Sequence, residues 1–246
     1  VTDKLGIDLY THVVDAKEFD DIVLAFLKSG ARDIECPTDI GLATTMNIAA
    51  EKFGIRYKID GHSFRTEGSA PMDWIYMDAR YIQSVHQQYG TVPMKTFPNL
   101  WLYRQLKWML LNNIKSIRPL YWLDYDKEAA KHLLTEEYGW TWYGGHHLEN
   151  RATAFFHSYF IPQRWNADFR LIGFAAYCRD GRMTREEALA LMSETPHIED
   201  GLLEYYKKRL SLSDQEFDRL MALPKKYYCD FKTYKKTFER MRPFFW

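Results

Sequence analysis

The sequence predicts an α/β protein: a partial parallel sheet in the first third of the chain, followed by a mainly helical C-terminal region. Three observations carry this. β-prone runs alternate with amphipathic helical patterns up to about residue 60, the rhythm of strands joined by crossovers. From about Met72 onward the pattern turns helical and irregular. Between the two, the strand-like Tyr57-Lys58-Ile59 runs straight into a crowd of polar residues, Asp60 to Gly68, at the point where a strand leaves its sheet.

In order along the chain, Ile7 to Val14 (IDLYTHVV) reads as a strand closed by Asp15. Lys17 to Lys28 places Phe19, Ile22, Val23, Phe26 and Leu27 on one helical stripe, and Ser29-Gly30 stops it. Pro37-Thr38-Asp39 leads into a helix from Ile40 to Phe53, which Gly54 ends, and Ile55 to Ile59 is the next strand. Further helices are expected at Asn99–Ile117, at Tyr125–Tyr138 with Asp126 as N-cap, and at Ala152–Phe160, Thr184–Met192, Asp200–Leu210 and Asp214–Met221. Ser213 and Glu216 have the spacing of a capping box.

Bulk properties narrow the classes of function. Lys+Arg and Asp+Glu balance at 33 each in 246 residues, so no overall field draws the chain to nucleic acid or to acidic lipid. Aromatic residues make up 16% and gather after residue 74, which predicts large packed surfaces or a subunit interface, a homo-oligomer included. Cys36, Cys178 and Cys229 lie far apart, with no C-x-x-C spacing, so neither a zinc ribbon nor a disulfide framework is expected. A reducing cytoplasm is the simplest setting. The opening Val-Thr-Asp-Lys does not read as a signal peptide, and no apolar run has membrane-spanning length.

Two loops carry the chemistry. Asp60 to Gly68 follows a strand at its carboxyl end, where open parallel sheets bind ligands. Gly61 and Gly68 allow a tight turn or a close backbone approach, and His62, Ser63, Thr66 and Glu67 supply donors and acceptors. A plain solvated turn explains the same residues. Thr38 and Asp39 fit helix capping as well as anion binding, because both use the amides of a helix start. Trp142 to Arg151 holds Gly144, Gly145, His146, His147 and Glu149. Adjacent histidines on a helix point about 100° apart and rarely share an ion, so a phosphate- or substrate-binding turn is preferred to a metal site, with a helix cap beside it. Arg170, Arg179, Arg182 and Arg185 suit phosphate oxygens, or equally a salt-bridged face. The aromatic helix Trp101 to Lys115 is expected to pack in protein rather than on lipid. Nucleophile-elbow, zinc-protease, Walker and dinucleotide fingerprints are all absent.

The order of the segments LGIDLYTHVVD, DIECPTD, GHSFRTEG, LDYDKEAAKHLL, GWTWYGGHHLEN and GRMTREEAL resembles the N-acetyl sugar amidotransferases. These are PP-loop ATP pyrophosphatases of surface-polysaccharide and nonulosonic-acid pathways. The resemblance implies a PP-loop (adenine-nucleotide α-hydrolase) type of partial parallel sheet over residues 1–90 and a helical substrate-binding or assembly region over 91–246. It implies ATP with Mg²⁺ as cofactors, a nucleotide-linked N-acetyl sugar as substrate and a glutaminase partner that supplies ammonia. The reaction is conversion of an acetamido to an acetamidino group. On this resemblance Asp60, His62 and Glu67 are the catalytic candidates. Thr38, Asp39, Gly61, Ser63, Thr66, Gly68, Gly145, His147, Glu149 and Arg170 are the binding candidates.

Three departures stand beside it. The phosphate loop Ser-Gly-Gly-x-Asp-Ser is absent from the 246 residues, as if the nucleotide half preceded Val1, and weak ATP binding is therefore expected. Ile40 and His146 replace a histidine and a lysine of the family pattern. Two rivals follow: a non-catalytic fragment or interaction subunit, and another PP-loop enzyme of tRNA modification or sulfur transfer. Against the latter stand the few basic patches and the lack of paired cysteines.

Overall fold

The computed structural model describes residues 1–71, 74–144 and 148–244. In chain order the elements are α1 (Thr2–Leu5), α2 (Ala16–Ser29), α3 (Cys36–Lys52), β1 (Tyr57–Ile59) and α4 (Ala79–Tyr89). Then come α5 (Leu102–Leu106), continued by the π-helical turn Lys107–Leu111, β2 (Lys115–Ile117) and the 3₁₀ turn Pro119–Tyr121. After these follow α6 (Lys127–Tyr138), α7 (Arg151–Phe155), which runs into the π-helical stretch Phe156–Trp165, and α8 (Arg170–Arg179). The chain continues with α9 (Arg185–Ser193), α10 (Leu202–Arg209), α11 (Asp214–Met221) and α12 (Lys235–Met241). The class is α/β with a small parallel sheet and a mainly helical C-terminal region.

The chain forms two compact units, each drawn from three stretches. The first comprises Val1–His12, Tyr57–Ala70 and Lys115–Asp200; the second comprises Val13–Arg56, Pro71–Ile114 and Gly201–Trp246. In the first unit β1 and β2 pair in parallel, with Tyr57 opposite Lys115 and Ile59 opposite Ile117. Phe155, Phe156, Phe160 and Ile161 are its large buried apolar side chains, each at 2% exposure or less. In the second unit α2 packs on α4. Ile22, Phe26, Ile82 and Val85 have no exposed surface, and Phe26 meets Tyr81 edge-on at 5.3 Å. Each fully buried side chain of this size contributes about 1.5–3 kcal/mol of burial free energy.

Local signals set most boundaries. Asp15 caps α2 by accepting the Glu18 N–H, and Gly30 ends it in the left-handed conformation at φ 75°. Asp126 caps α6 through the Ala129 N–H. Ser213 and Glu216 form the expected capping box of α11.

Four expectations are corrected. Ile7–Val14 is no strand. Among the described residues the sheet holds β1 and β2 alone, and the Ile7 N–H donates to Thr2 O at 3.1 Å behind α1. Its alternation survives, though, with Leu9 76% and Val13 82% exposed while Tyr10, His12 and Val14 are half-buried. The second strand is shorter than read, because the Ile55 N–H is taken by Ala50 O at 2.8 Å to close α3 behind Gly54. α3 begins at Cys36, with Pro37 in its first turn, so Thr38 and Asp39 lie inside that turn and not ahead of it. The helix read over Asn99–Ile117 ends at Leu111. Asn113 takes φ 52°, and Lys115-Ser116-Ile117 becomes the second strand.

The aromatic helix is divided. Trp108 is 2% exposed beside Ala50 and Ile114 and donates Nε1–H to Glu51, whereas Leu110 and Leu111 are 64% and 80% exposed. No helix among the described residues is long and apolar enough to cross a membrane.

Candidate functional site

The site is built where the two strands end together. Parallel register brings Asp60 and Arg118 side by side: the Asp60 N–H donates to Ile117 O at 2.8 Å, and Arg118 Nε donates to Asp60 Oδ2 at 3.1 Å. Asp60 Oδ1 in turn accepts the His62 N–H at 3.2 Å, a turn locked by its own aspartate. Burial works against the Asp60 charge, but the His62 amide and Arg118 outweigh it and hold the carboxyl below its ordinary value.

The rest of the loop coils. Glu67 N–H donates to Ser63 O at 2.8 Å and Gly68 N–H to Phe64 O at 3.2 Å. Gly68 has φ 67°, and a Cβ there would stand 2.7 Å from the Ile172 carbonyl oxygen, so only glycine fits. At Gly61 an added Cβ would meet open space, and nothing in the fold requires glycine. Ser63 and Thr66 are buried, and Ser63 Oγ has no hydrogen-bond partner among the described residues.

The 3₁₀ turn after β2 lays Tyr121 against this loop. Its hydroxyl is 2.9 Å from His62 Nδ1, Phe64 meets its ring edge-on at 4.9 Å, and the Arg118 guanidinium lies 5.6 Å from its centre. On the other side of the imidazole, Nε2 stands 3.4 Å from Glu67 Oε2. A proton on Nε2, facing the carboxylate, leaves Nδ1 to accept the Tyr121 hydroxyl. Carboxylate, imidazole and phenol thus form a line along which a proton can move.

A lysine completes the surroundings. Lys127 is the first residue of α6, where the helix start disfavours a positive charge. Burial pushes its ammonium below the ordinary value, with Lys131 adding to this, while Glu67 and Glu149 work the other way. Burial also raises the Tyr125 phenol, and Glu67 adds to it. Glu149 accepts the Tyr143 hydroxyl. The fold therefore brings Glu67 of the first loop and Glu149 of the second into the field of one lysine. Gly145 and His147, like His146, lie outside the described residues.

Arg170 and Arg182 are engaged in ion pairs of their own. Arg170 binds Asp168 through two nitrogens and also reaches the carbonyls of Leu191 and Glu194, so its donors hold α8 to the end of α9. Arg182 pairs with Asp180, Asp124 and Asp126, the salt-bridged face that was the alternative reading of these arginines. Thr38 and Asp39 belong to the second unit, at the start of α3, where Asp33, Glu35 and Asp39 set up a negative field. Such a field opposes phosphate. Among the described residues no group of three or more His, Cys, Asp or Glu side chains could hold a metal ion.

Tyr121, Arg118 and Lys127 were not singled out from the sequence. A lysine directly after an N-cap aspartate, against the helix dipole, was the one signal available; Tyr121 had none.

Comparison with known proteins bears on the C-terminal part. Residues 149–242 match the family model WbpG_C, described as LPS biosynthesis protein WbpG-like, C-terminal domain. The match supports the resemblance to the sugar amidotransferases for the C-terminal segment. No curated protein and no solved structure matches the chain.

Proposed function

We propose that this chain takes part in converting an acetamido group of a nucleotide-linked sugar to an acetamidino group during LPS or nonulosonic-acid biosynthesis, with ammonia supplied by a glutaminase partner. The observation that carries this reading is the Glu67–His62–Tyr121 line, set at the carboxyl ends of two parallel strands in a chain whose C-terminal segment is WbpG-like. When nitrogen replaces oxygen on the acetamido carbon, the incoming ammonia must lose a proton. The Tyr121 hydroxyl can take that proton while passing its own to Nδ1 of His62, beside which Glu67 stands. Arg118 fixes Asp60, and Asp60 fixes the loop, so the imidazole is positioned before substrate arrives. ATP belongs to this proposal as the activator of the amide oxygen, and no step is assigned to it on these residues.

The test is incubation of the protein with a nucleotide-linked N-acetyl sugar, ATP, magnesium and ammonium, followed by mass spectrometry for exchange of O for NH. Product is expected, and it should diminish in Glu67→Gln. Absence of product, together with absence of calorimetric binding to the nucleotide-linked sugar, would sink the proposal.

A second reading, a non-catalytic assembly subunit, draws on the sheet itself. Tyr57, Ile59 and Ile117 are 59%, 72% and 45% exposed, although parallel strands are ordinarily covered on both faces. Retained binding to the glutaminase without any turnover would favour it.

A further inference from the structure

A pocket of about 420 Å³ lies wholly within the second unit, at the last turns of α2 and α4 and along α11, and most of its wall is apolar. Small organic ligands occupy pockets of roughly 300–1,000 Å³ with walls of this kind and a few polar groups. Leu212, Glu216, Leu220 and Leu223 line it at three- and four-residue spacing, one face of α11 carried into its flanks. Leu220 is buried, and Leu212 and Leu223 are half-buried.

The charges of the lining do not balance. Lys28 and Arg219 both belong to it, each in the last turn of its helix, where the backbone carbonyls favour a positive charge. Glu216 is the carboxylate beside them, and it has a task already. Its Oε2 accepts the Ser213 N–H at 2.9 Å and the Ser213 hydroxyl at 2.7 Å, which caps α11. Those two hydrogen bonds hold its carboxyl below the ordinary value, and Arg219 and Lys28 add to this through space. The opposite wall is basic too, for the Tyr89 hydroxyl accepts Lys226 Nζ at 2.7 Å. A neutral apolar guest would leave the cations unanswered, a cation would add to them, and a bare inorganic anion would leave the leucines wet.

We propose that this pocket binds a medium-chain alkyl carboxylate, with its head against Lys28 and Arg219 and its chain on Leu212, Leu220 and Leu223. Burial of the chain supplies the attraction and the two cations select the sign of the head. The pocket and the Glu67–His62–Tyr121 line belong to different units, so the inference stands apart from the reaction proposed above.

Calorimetric titration of the whole chain tests it, with octanoate, octylammonium, 1-octanol and acetate as probes, all well below micellar concentrations. Octanoate should bind with one-to-one stoichiometry, and each of the other three at least about tenfold more weakly, the loss expected when a charged contact or the apolar chain is removed. Lys28→Gln combined with Arg219→Gln should weaken octanoate by a similar factor and bring it level with 1-octanol. Octylammonium or 1-octanol binding as tightly as octanoate, or no saturable heat with octanoate, overturns the proposal. So does unchanged octanoate affinity in the double variant. Should that variant fail to fold, Leu223→Ser replaces it: weaker octanoate binding is expected, and unchanged binding places the ligand elsewhere and overturns the assignment.

Discussion

Glu67 reaches Tyr121 only through an imidazole, and that places the chemistry of the loop on one side chain. Glu67→Gln keeps the shape and removes the charge that orients His62. Amidine formation should fall roughly ten- to a hundredfold, the equivalent of about 1.5–3 kcal/mol for a hydrogen bond to a charged group, with Tm nearly unchanged. Full activity in a folded variant would show the loop to be structural. The two glycines divide differently. Gly68→Ala forces a side chain into the left-handed region and against the Ile172 carbonyl, and it should cost on the order of 1–3 kcal/mol in urea unfolding. Gly61→Ala should leave stability unchanged, so any loss of turnover there reports on substrate alone. The polar loop was legible in the sequence because its residue types crowd one turn. Its partner was not: Tyr121 arrives from 59 positions away through a short 3₁₀ turn, and nothing local to PLYW announces that.

At the scale of elements, α2 grips the segment after α4 with two carboxylates. Glu18 accepts the amides of Lys95, Thr96 and Phe97, and Asp21 accepts those of Thr91 and Val92 together with the Thr91 hydroxyl and His86. Burial opposes both charges, but these donors outweigh it and hold both carboxyls below their ordinary values of 4.5 and 3.8. A depressed folded value means stability that is present above the unfolded value and lost as pH falls through the folded one. The chain should therefore keep this contribution at neutral pH and lose it in the acid range below those values, which a series of urea midpoints would trace. Asp33 has the opposite sign. Its value is raised, so its contribution is fully present at low pH and is lost as pH climbs past 3.8. Glu18→Gln should cost about 2–4 kcal/mol at pH 7, since three amides lose a charged acceptor. Helix positions such as α2, α6 and α11 were readable because cap, stripe and stop are local signals. The strands were not. The apolar alternation of Ile7–Val14 looks like a strand but has no place in the sheet among the described residues, and β2 hides at the end of a helical pattern.

For the whole molecule the decisive feature is the path of the chain, which passes from one unit to the other five times, after His12, Arg56, Ala70, Ile114 and Asp200. Even the WbpG-like segment, residues 149–242, contributes to both. A fragment of residues 91–246 should therefore fail to fold by itself, lacking α2, α3, α4 and β1. Circular dichroism showing a cooperative melt for that fragment would contradict this.

The same path orders events during synthesis. The first unit has all of its residues once Asp200 has been made, whereas the second waits for the final stretch, Gly201 to Trp246. Until then α2 and α4 can meet, but α11, which also packs against α2, does not yet exist. Phe26, Ile82 and their neighbours thus belong to an unfinished surface for most of translation, when a nascent chain is most exposed to aggregation. A ribosome that stalls before residue 201 would hold one unit with its full complement of residues and another that only a chaperone could shelter.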